Sequence, residues 1–371
     1  WRGTDGSGMV KGAPFNPSAI SQTPNVRWTA ELGKGYSAIS VAGPYVYTMG
    51  NIDNHDIVYC LREDTGKEVW RHTYKCKAAS FPGPRATPCV AGGLVFTMSR
   101  EGQVYALNAK TGEVIWQRNA AKDVGGEIPK WGLAGSPVLH GDMLLLNIAT
   151  HGVALNARTG RTLWKSPPGT GGYSTPGVAT INGKQTIVLF GEKHAFGVDL
   201  RTGRKRFSHP WETAHNVNVA DPIVLGNHIF ISSGYGHGCA LLDVSRSEPK
   251  VLWQNTDMRN HFSTSILLDG HLYGVDGNTG KGQLACINAA TGSVTWREDL
   301  AFGSLIAADG TLIFLNERGS LYAIDASPTA CRQVAMAEGV LPRTCWTMPV
   351  LCRGSLYLRN EKGRLVCLDV R

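Results

Sequence analysis

The sequence predicts an all-β fold, an eight-bladed β-propeller whose blades are four-stranded antiparallel sheets. Three observations lead to this prediction. A motif that ends in a large aromatic residue recurs about every 45 residues, and a second motif of two short strands occurs eight times. The strand-like runs are bounded by Gly, Asn and Asp turns, and no segment sustains the 3.6-residue periodicity of a helix.

The first motif is clearest in VYALNAKTGEVIW, which ends at Trp116. Its copies end at Trp70, Trp116, Trp164, Phe207, Trp253 and Trp296, with spacings of 46, 48, 43, 46 and 43 residues. A large ring on an outer strand can pack between neighbouring blades, and the Gly of the Thr-Gly turn supplies a positive φ. We therefore interpret this motif as structural.

The second motif opens each repeat. It begins at Ala38, Thr87, Ser136, Thr175, Asp221, Thr264, Ser304 and Met348. The last repeat is split, because residues 365–370 supply one strand and the segment ending at Trp28 supplies its outer neighbour. Such a split closes a propeller ring with both chain ends in one blade. We expect residues 26–371 to form one propeller and residues 1–25 to form an extension that packs on it.

Composition excludes several classes of protein. The 371-residue chain has a formal charge of +8, but its densest basic cluster, Arg201 with residues 204–206, falls in one predicted turn. Without a basic stripe, nucleic acid is not an expected partner. No apolar run is long enough for a transmembrane segment. The sequence starts at Trp1 without an apolar leader, and we expect that a signal peptide has been removed and that the protein is periplasmic or extracellular.

The nine cysteines include no CxxC, CxxCH or adjacent pair, which disfavours zinc-ribbon, haem-attachment and thioredoxin-like chemistry. Cys60, Cys286 and Cys367 share one repeat position with alanines, which indicates small buried residues. Disulfides between Cys331 and Cys345, and between Cys76 and Cys89, stay open alternatives.

The pattern Y-A-L-x-A-x-T-G-x-x-x-W resembles the quinoprotein-like (PQQ-binding-like) repeat of pyrroloquinoline-quinone dehydrogenases and of BamB-like secreted bacterial proteins. The resemblance covers the chain after about residue 25 and includes an opening W-x-G-x-x-G-x-G segment at Trp1, Gly3, Gly6 and Gly8. It implies the propeller fold but is poorly specific for function. The adjacent cysteines of the dehydrogenases are missing here, so no cofactor is predicted. Pyrroloquinoline quinone (PQQ) and a divalent metal are kept as alternatives.

A polar and aromatic channel mouth is predicted on one face of the ring, where the loops before the inner strands meet the loops after the second strands. The opposite face receives mainly short turns. Convergent aromatic rings with Arg, Asn and His suit a ring-shaped polar ligand such as a sugar. The predicted ligand-binding residues are Arg85, Trp131, Tyr173, Tyr235, His237, His261, Trp346, Arg359 and Asn360.

Other interpretations of the same face stay open. The rings can instead plug the channel, with Arg359 and Asn360 bonding to backbone. Four histidines from different blades (His151, His194, His237 and His261) raise the question of a metal but lack a short-range ligand spacing. Four carboxylates could include an acid–base pair: Asp53, Glu101, Glu192 and Asp276. No catalytic residue is assigned.

Two functions follow from these observations. The first is a non-catalytic secreted or periplasmic propeller that binds a protein or glycan partner, as the BamB resemblance implies. The alternative is an enzyme acting on a carbohydrate or alcohol at the channel mouth, with a quinone or metal as a conceivable cofactor. The sequence favours the first and does not decide between them.

Overall fold

The computed structural model describes residues 2–3 and 5–371. Trp1, which opens the tryptophan–glycine segment, and Thr4 lie outside the described residues. Eight antiparallel sheets of four ladder-paired strands form the ring, which confirms the predicted eight-bladed β-propeller. The described residues contain no helix long and apolar enough to cross a membrane.

Each blade is given from its inner to its outer strand. Blade 1 comprises Ser40–Ala42, Tyr45–Ile52, His55–Arg62 and Glu68–Lys75; blade 2 comprises Cys89–Ala91, Leu94–Met98, Gln103–Asn108 and Val114–Asn119. Blade 3 comprises Val138–His140, Met143–Leu146, Val153–Asn156 and Thr162–Lys165; blade 4 comprises Gly177–Ile181, Lys184–Phe190, His194–Asp199 and Lys205–Pro210.

The second half of the ring repeats this order. Blade 5 comprises Ile223–Leu225, His228–Ser233, Gly238–Asp243 and Lys250–Asn255; blade 6 comprises Ile266–Leu268, His271–Asp276, Gln283–Asn288 and Val294–Glu298. Blade 7 comprises Gly303–Ala308, Thr311–Asn316, Leu321–Asp325 and Arg332–Ala337; blade 8 comprises Val350–Cys352, Ser355–Arg359, Arg364–Asp369 and Val26–Glu31.

Short elements decorate the ring. A helix spans Ala120–Val124, is capped by the Asn119 side chain and ends at Gly125 in a left-handed conformation. Two strands outside the blades, Gly126–Glu127 and Gly169–Thr170, pair in parallel. Two 3₁₀ turns span Pro17–Ala19 and Ala214–Asn216, and a short strand spans Met9–Val10.

Blade 8 closes the ring with both ends of the chain. Val26–Glu31 pairs antiparallel with Arg364–Asp369, and Trp28 lies opposite Cys367. The predicted split blade is therefore confirmed. The closure ties an N-proximal strand to the C-proximal one, so that every blade has neighbours on both sides and the ring has no open end.

The tryptophans of the repeat join neighbouring blades. Trp164 on blade 3 is 8% exposed, and its Nε1 donates to the carbonyl oxygen of Leu200 on blade 4 at 3.0 Å. Equivalent indole-to-carbonyl bonds start from Trp28, Trp70, Trp116, Trp253 and Trp296. The Thr-Gly turn of the next blade lies against the ring, because a Cβ on Gly203 would be 2.4 Å from Trp164 Cε3.

The nine cysteines are all free thiols, so neither of the two disulfides left open by the sequence is formed. Cys60, Cys286 and Cys367 are fully buried beside apolar neighbours in the blade cores. Their small size suits the close approach of strands there.

The described N-terminal segment, which precedes Val26, packs against blades 7 and 8. Met9 and Val10 add a parallel strand to the inner edge of blade 7, opposite Ala307 and Ala308. Arg2 is only 5% exposed. Further along, Ile20 packs into the core shared by blades 7 and 8.

Candidate functional site

A cavity of about 330 Å³ occupies the channel at the face where the loops before the inner strands converge. Its volume is at the lower end of the range of small-molecule pockets. Seven aromatic residues line it: Tyr36, Phe81, Trp131, Tyr173, Tyr235, Phe262 and Trp346. Six of them precede an inner strand, while Tyr235 follows the second strand of blade 5. We call this cavity the aromatic cup.

A series of five backbone-to-side-chain hydrogen bonds links the residues that open blades 1 to 6 in the lining of the cup. In each bond, the backbone N–H of the residue that opens one blade donates to the side-chain oxygen of the residue that opens the next blade. The bonds run from Ala38 to Thr87 (3.0 Å), Thr87 to Ser136 (2.9 Å), Ser136 to Thr175 (3.1 Å), Thr175 to Asp221 (2.7 Å) and Asp221 to Thr264 (2.9 Å). These bonds fix neighbouring blades in register and supply polar groups in an otherwise apolar cavity.

Asp221 is the one charged residue among the eight that open the blades. Its carboxylate accepts the Thr175 N–H and lies 4.0 Å from the Arg2 Nε. Burial raises the pKa of Asp221 to about 6, although the Arg2 charge and the Thr175 hydrogen bond oppose this change. Sequence reasoning missed Asp221 as a site residue. The available signal was a carboxylate at a repeat position where most other blades carry Ser, Thr or Ala.

The aromatic rings contact one another around the cup. Trp346 stacks on Tyr36 with ring centroids 5.7 Å apart and lies 5.2 Å from Phe262. Phe81 meets the edge of Trp131 at 5.6 Å. Such mutual contacts limit ring movement and leave apolar faces exposed to the cavity.

Two of the rings, Phe81 and Tyr235, are held in left-handed backbone conformations. Their φ angles are 58° and 54°, and they are 46% and 40% exposed. Bulky residues rarely adopt this conformation without support from the surroundings. Here the Phe81 carbonyl accepts a bond from Arg85 Nη2 at 3.0 Å, and the Tyr235 N–H donates to Asn278 Oδ1 at 2.9 Å. The fold thus fixes exposed rings on two sides of the mouth.

Arg85 is the only cationic residue among the described residues that line the cup. Its guanidinium lies over the Tyr36 ring, 5.6 Å from the centroid. Burial and then the nearby Arg100 charge lower the pKa of Arg85 to about 10, so the group is still cationic at neutral pH.

His261 is the one histidine in the described lining of the cup. It is 8% exposed, and its ring lies between Tyr235 at 4.8 Å and Phe262 at 4.6 Å. Burial lowers the pKa of His261 to about 4, so the imidazole is neutral at pH 7. It therefore serves as a polar edge within an aromatic wall.

Six of the nine residues predicted to bind ligand meet around the aromatic cup. They are Arg85, Trp131, Tyr173, Tyr235, His261 and Trp346. Their part in ligand binding stays a prediction. His237 does not line the cup but contacts Trp211 edge-on, with centroids 4.4 Å apart.

Arg359 and Asn360 are buried in the wall of the ring and are not in the described lining of the cup, and their part in ligand binding stays a prediction. Arg359 is fully buried and donates to the Ser37 carbonyl at 2.8 Å and to Thr48 Oγ1 at 3.0 Å. Asn360 donates to the Pro342 carbonyl and accepts the Arg364 N–H. Both side chains satisfy backbone groups at the contacts between blades and loops.

The candidate acid–base and metal residues are dispersed. Asp276 pairs with Arg259 at 2.7 Å, and Glu192 accepts a bond from Asn216 at 2.8 Å. None of the four candidate carboxylates and only one of the four candidate histidines is in the described lining of the cup. Within residues 2–3 and 5–371, no group of three His, Cys, Asp or Glu side chains is arranged to hold a metal ion.

The charged side chains that line the cup do not fit PQQ, the cofactor of the dehydrogenases that the sequence resembles. This quinone carries three carboxylates, which call for several cationic donors. The described lining offers one cation, Arg85, and places a carboxylate, Asp221, in the same cavity. We therefore derive no step through a quinone.

Comparisons with known proteins agree with the architecture. The profile of the family described as "Outer membrane protein assembly factor BamB" matches residues 54–298 and 277–371. BamB of Burkholderia pseudomallei is 26% identical over 245 residues, which are 63% of this chain and 58% of that protein. A polyvinylalcohol dehydrogenase of a Pseudomonas species is 28% identical over 183 residues, covering 48% of this chain and 24% of the enzyme.

A solved structure shows the same fold. The crystal structure of BamB from Moraxella catarrhalis superposes with a TM-score of 0.69 at 14% sequence identity, covering 92% of this chain and 98% of that one. At this identity the likeness concerns the fold alone. The family profile, in contrast, matches most of the chain. The chain therefore belongs to the family of the outer membrane protein assembly factor BamB.

Proposed function

We propose that this protein is a non-catalytic binding propeller whose aromatic cup receives a segment of a partner protein. The observation that carries the proposal is the cup itself, in which loops of several blades bring seven aromatic side chains around one cavity. Tyr and Trp side chains, with Arg, supply most of the binding free energy at many protein interfaces.

The chemistry of the cup suits the side chains of a peptide. Apolar ring faces are exposed to the cavity, and burying them against a ligand yields about 25 cal/mol per Å² of apolar area removed from water. The Ser and Thr hydroxyls and the neutral His261 supply hydrogen-bonding groups that a peptide backbone can use. The fixed positions of Phe81 and Tyr235 reduce the entropy lost on binding.

The family supports a protein as the partner. Its members carry the name of an assembly factor for outer membrane proteins, and those proteins are polypeptides. By the same similarity we propose that the protein acts in the periplasm. A glycan partner, which the aromatic rings also permit, is an outcome of the test below.

The test is a selection of binding peptides from a random dodecapeptide library displayed on phage, panned on the purified protein. Selected peptides are then titrated by fluorescence anisotropy against wild type, Trp131→Ala, Trp346→Ala and the control Ile115→Ala. Ile115 is an apolar side chain that is 50% exposed on the outer strand of blade 2, remote from the cup. We expect each Trp variant to lose at least about tenfold in affinity, or roughly 1.4 kcal/mol, and the control to bind like wild type.

Two results would overturn the proposal. One is a set of peptides that bind equally well to the Trp variants, since the site would then lie elsewhere. The other is binding in a glycan array, sensitive to Trp131 and Trp346, while no peptide is selected. Turnover of a carbohydrate or alcohol at the cup would instead favour the enzyme alternative.

A further inference from the structure

The two charged side chains in the described lining of the cup differ in whether they have a close counter-ion. The carboxylate in its described lining, Asp221, faces Arg2 at 4.0 Å and so has a counter-ion. Arg85 has no carboxylate oxygen within 4.0 Å among the residues that the structure describes. The described lining of the cup thus has, on its blade 2 side, one guanidinium without a carboxylate in direct contact, and the Asp56 carboxylate acts on it from farther away.

The charge of a second guanidinium, that of Arg100, acts on Arg85. Arg100, which follows the second strand of blade 2, donates to the Ala78 carbonyl at 3.0 Å and packs under Gly132. Within the described residues it too lacks a carboxylate oxygen within 4.0 Å. Two like charges held together without a close counter-ion repel each other, and a bound anion would relieve that repulsion.

The cations lie next to ring faces. The Arg85 guanidinium is over Tyr36, and Lys130 Nζ is 5.0 Å from the centroid of Trp131. A ligand that stacks on these rings would therefore place its neighbouring groups within reach of positive charge. This combination selects a ligand that is apolar in one part and anionic in the next.

Arg85 also has donors to spare. Nη1 donates to the Gly83 carbonyl at 2.9 Å and Nη2 to the Phe81 carbonyl at 3.0 Å. A guanidinium has five N–H donors, so these two bonds leave others available. The backbone bonds fix the orientation of the fork, which is the arrangement that binds a carboxylate well.

From this geometry we infer that the aromatic cup selects an acidic peptide segment, in which an Asp or Glu carboxylate pairs with Arg85 while a neighbouring apolar side chain packs on the rings. The inference rests on the proposed function and adds the chemical class of the partner. Arg100 and Lys130 strengthen the attraction without needing direct contact.

The experiment uses peptides selected from the dodecapeptide library. Each peptide is synthesised in its selected form and with every Asp and Glu replaced by Asn and Gln. Both forms are titrated against wild type, Arg85→Lys and Arg85→Gln at low and at physiological salt. We expect wild type to bind the acidic form at least tenfold more tightly, with a preference that shrinks as salt is added.

The variants separate charge from loop structure. Arg85→Lys keeps the charge but not the fork, so it should keep part of the preference, whereas Arg85→Gln should abolish it. A melting temperature verifies that each variant folds. If Arg85→Gln does not fold, the test uses Arg100→Gln and the salt dependence of wild-type affinity instead. Wild-type affinity for the acidic peptide that does not change with salt would overturn the inference.

Failure of this inference is distinguishable from failure of the proposed function. Peptides that bind in the cup equally well in acidic and amide forms would overturn the inference and leave the function intact. Absence of cup-dependent peptides would overturn both. If tri-galacturonate binds and no acidic peptide does, the ligand of Arg85 is an acidic glycan. That result would also overturn the inference of an acidic peptide.

Discussion

Arg2 and Asp221 face each other inside the propeller, with the Nε and a carboxylate oxygen 4.0 Å apart. The two side chains are 6% and 17% exposed. Arg2 also donates to the Ser265 carbonyl on blade 6, so it links the N-terminal segment to two blades. The carboxylate that belongs to the cup is thus neutralised by a residue more than two hundred positions away in the chain.

Replacing one residue of the Arg2–Asp221 pair should lower the free energy of unfolding more than replacing both. Asp221→Thr restores a hydroxyl like those of neighbouring blades but leaves the buried Arg2 with only the weaker attraction of Asp5. We expect a loss of about 1–3 kcal/mol for the single variant, reduced because the carboxylate is partly exposed. The double variant Arg2→Met with Asp221→Thr should recover part of it. Urea unfolding measures the global effect, and hydrogen exchange at residues 9–10 reports the N-terminal strand.

The control for these single and double substitutions is Arg62→Ala. Arg62 pairs with Asp64 at 2.8 Å, but both side chains are about half exposed. Its loss should leave the free energy of unfolding nearly unchanged, because water and salt screen an exposed pair. Additive effects of the Arg2 and Asp221 substitutions would show that the two residues do not interact and would contradict the pairing.

The pKa of Asp221 predicts a specific pH dependence. Burial raises it to about 6, above the value near 3.9 of an unfolded chain. The folded state therefore binds the proton more tightly, and the contribution of this group to stability is complete below about pH 4 and is lost as the pH rises through 6. A difference of one in pKa between the folded and unfolded states corresponds to about 1.4 kcal/mol. We expect wild type to lose stability relative to Asp221→Asn between pH 4 and 6.5, as followed by melting temperatures of both proteins in matched buffers.

A difference in melting temperature between wild type and Asp221→Asn that stays constant from pH 4 to 6.5 would show that folding does not raise the pKa of Asp221. Asp64→Asn is a suitable reference. The hydrogen bond and charge of Arg62 lower the pKa of Asp64 to about 2, so Asp64 stays ionised throughout this window and its substitution should add no pH dependence there.

The joint between blades at Trp164 and Gly203 gives a third prediction. Gly203 has a φ of +69°, and a Cβ there would lie 2.4 Å from Trp164 Cε3. Gly203→Ala should therefore destabilise the protein by about 2–4 kcal/mol, from overpacking in addition to backbone strain. Gly226→Ala is the matched control, since its φ is +63° and nothing lies within 4 Å of the added Cβ. Equal effects of the two substitutions in urea unfolding would attribute the whole cost to backbone strain.

The fold could be predicted in detail because each blade repeats the same physical requirements along the sequence. The aromatic ring after the Gly-containing turn and the alternation of strands are local patterns, and the split blade follows from an incomplete repeat near each end of the sequence. The site could be predicted only in part. Repeat position places Arg359 at the end of a second strand, but does not tell whether its side chain turns into the channel or between blades. Nor does it reveal that Asp221 is matched by Arg2, because that contact depends on the path of the N-terminal segment.

Arg359 should be essential to the ring rather than to the ligand. Its guanidinium donates to the Ser37 carbonyl, to Thr48 Oγ1 and to the Gly33 carbonyl, and thereby joins blade 8 to blade 1 and to the loop before it. Arg359→Met would remove the guanidinium donor from each of these buried acceptors. We expect a loss of about 3 kcal/mol or more in unfolding free energy. Peptide affinity of the folded fraction should be unchanged, since Arg359 does not line the aromatic cup.

Arg353→Met provides the matched comparison for Arg359→Met. Arg353 also belongs to blade 8 and donates to a carbonyl on the blade 1 side, that of Gly43, but it is exposed. Water can replace its hydrogen bond, so we expect a loss below about 1 kcal/mol. If Arg359→Met were as stable as Arg353→Met but bound the selected peptides more weakly, Arg359 would belong to the binding site after all. The opposite result, instability with intact affinity, would show that its burial serves the closure of the ring.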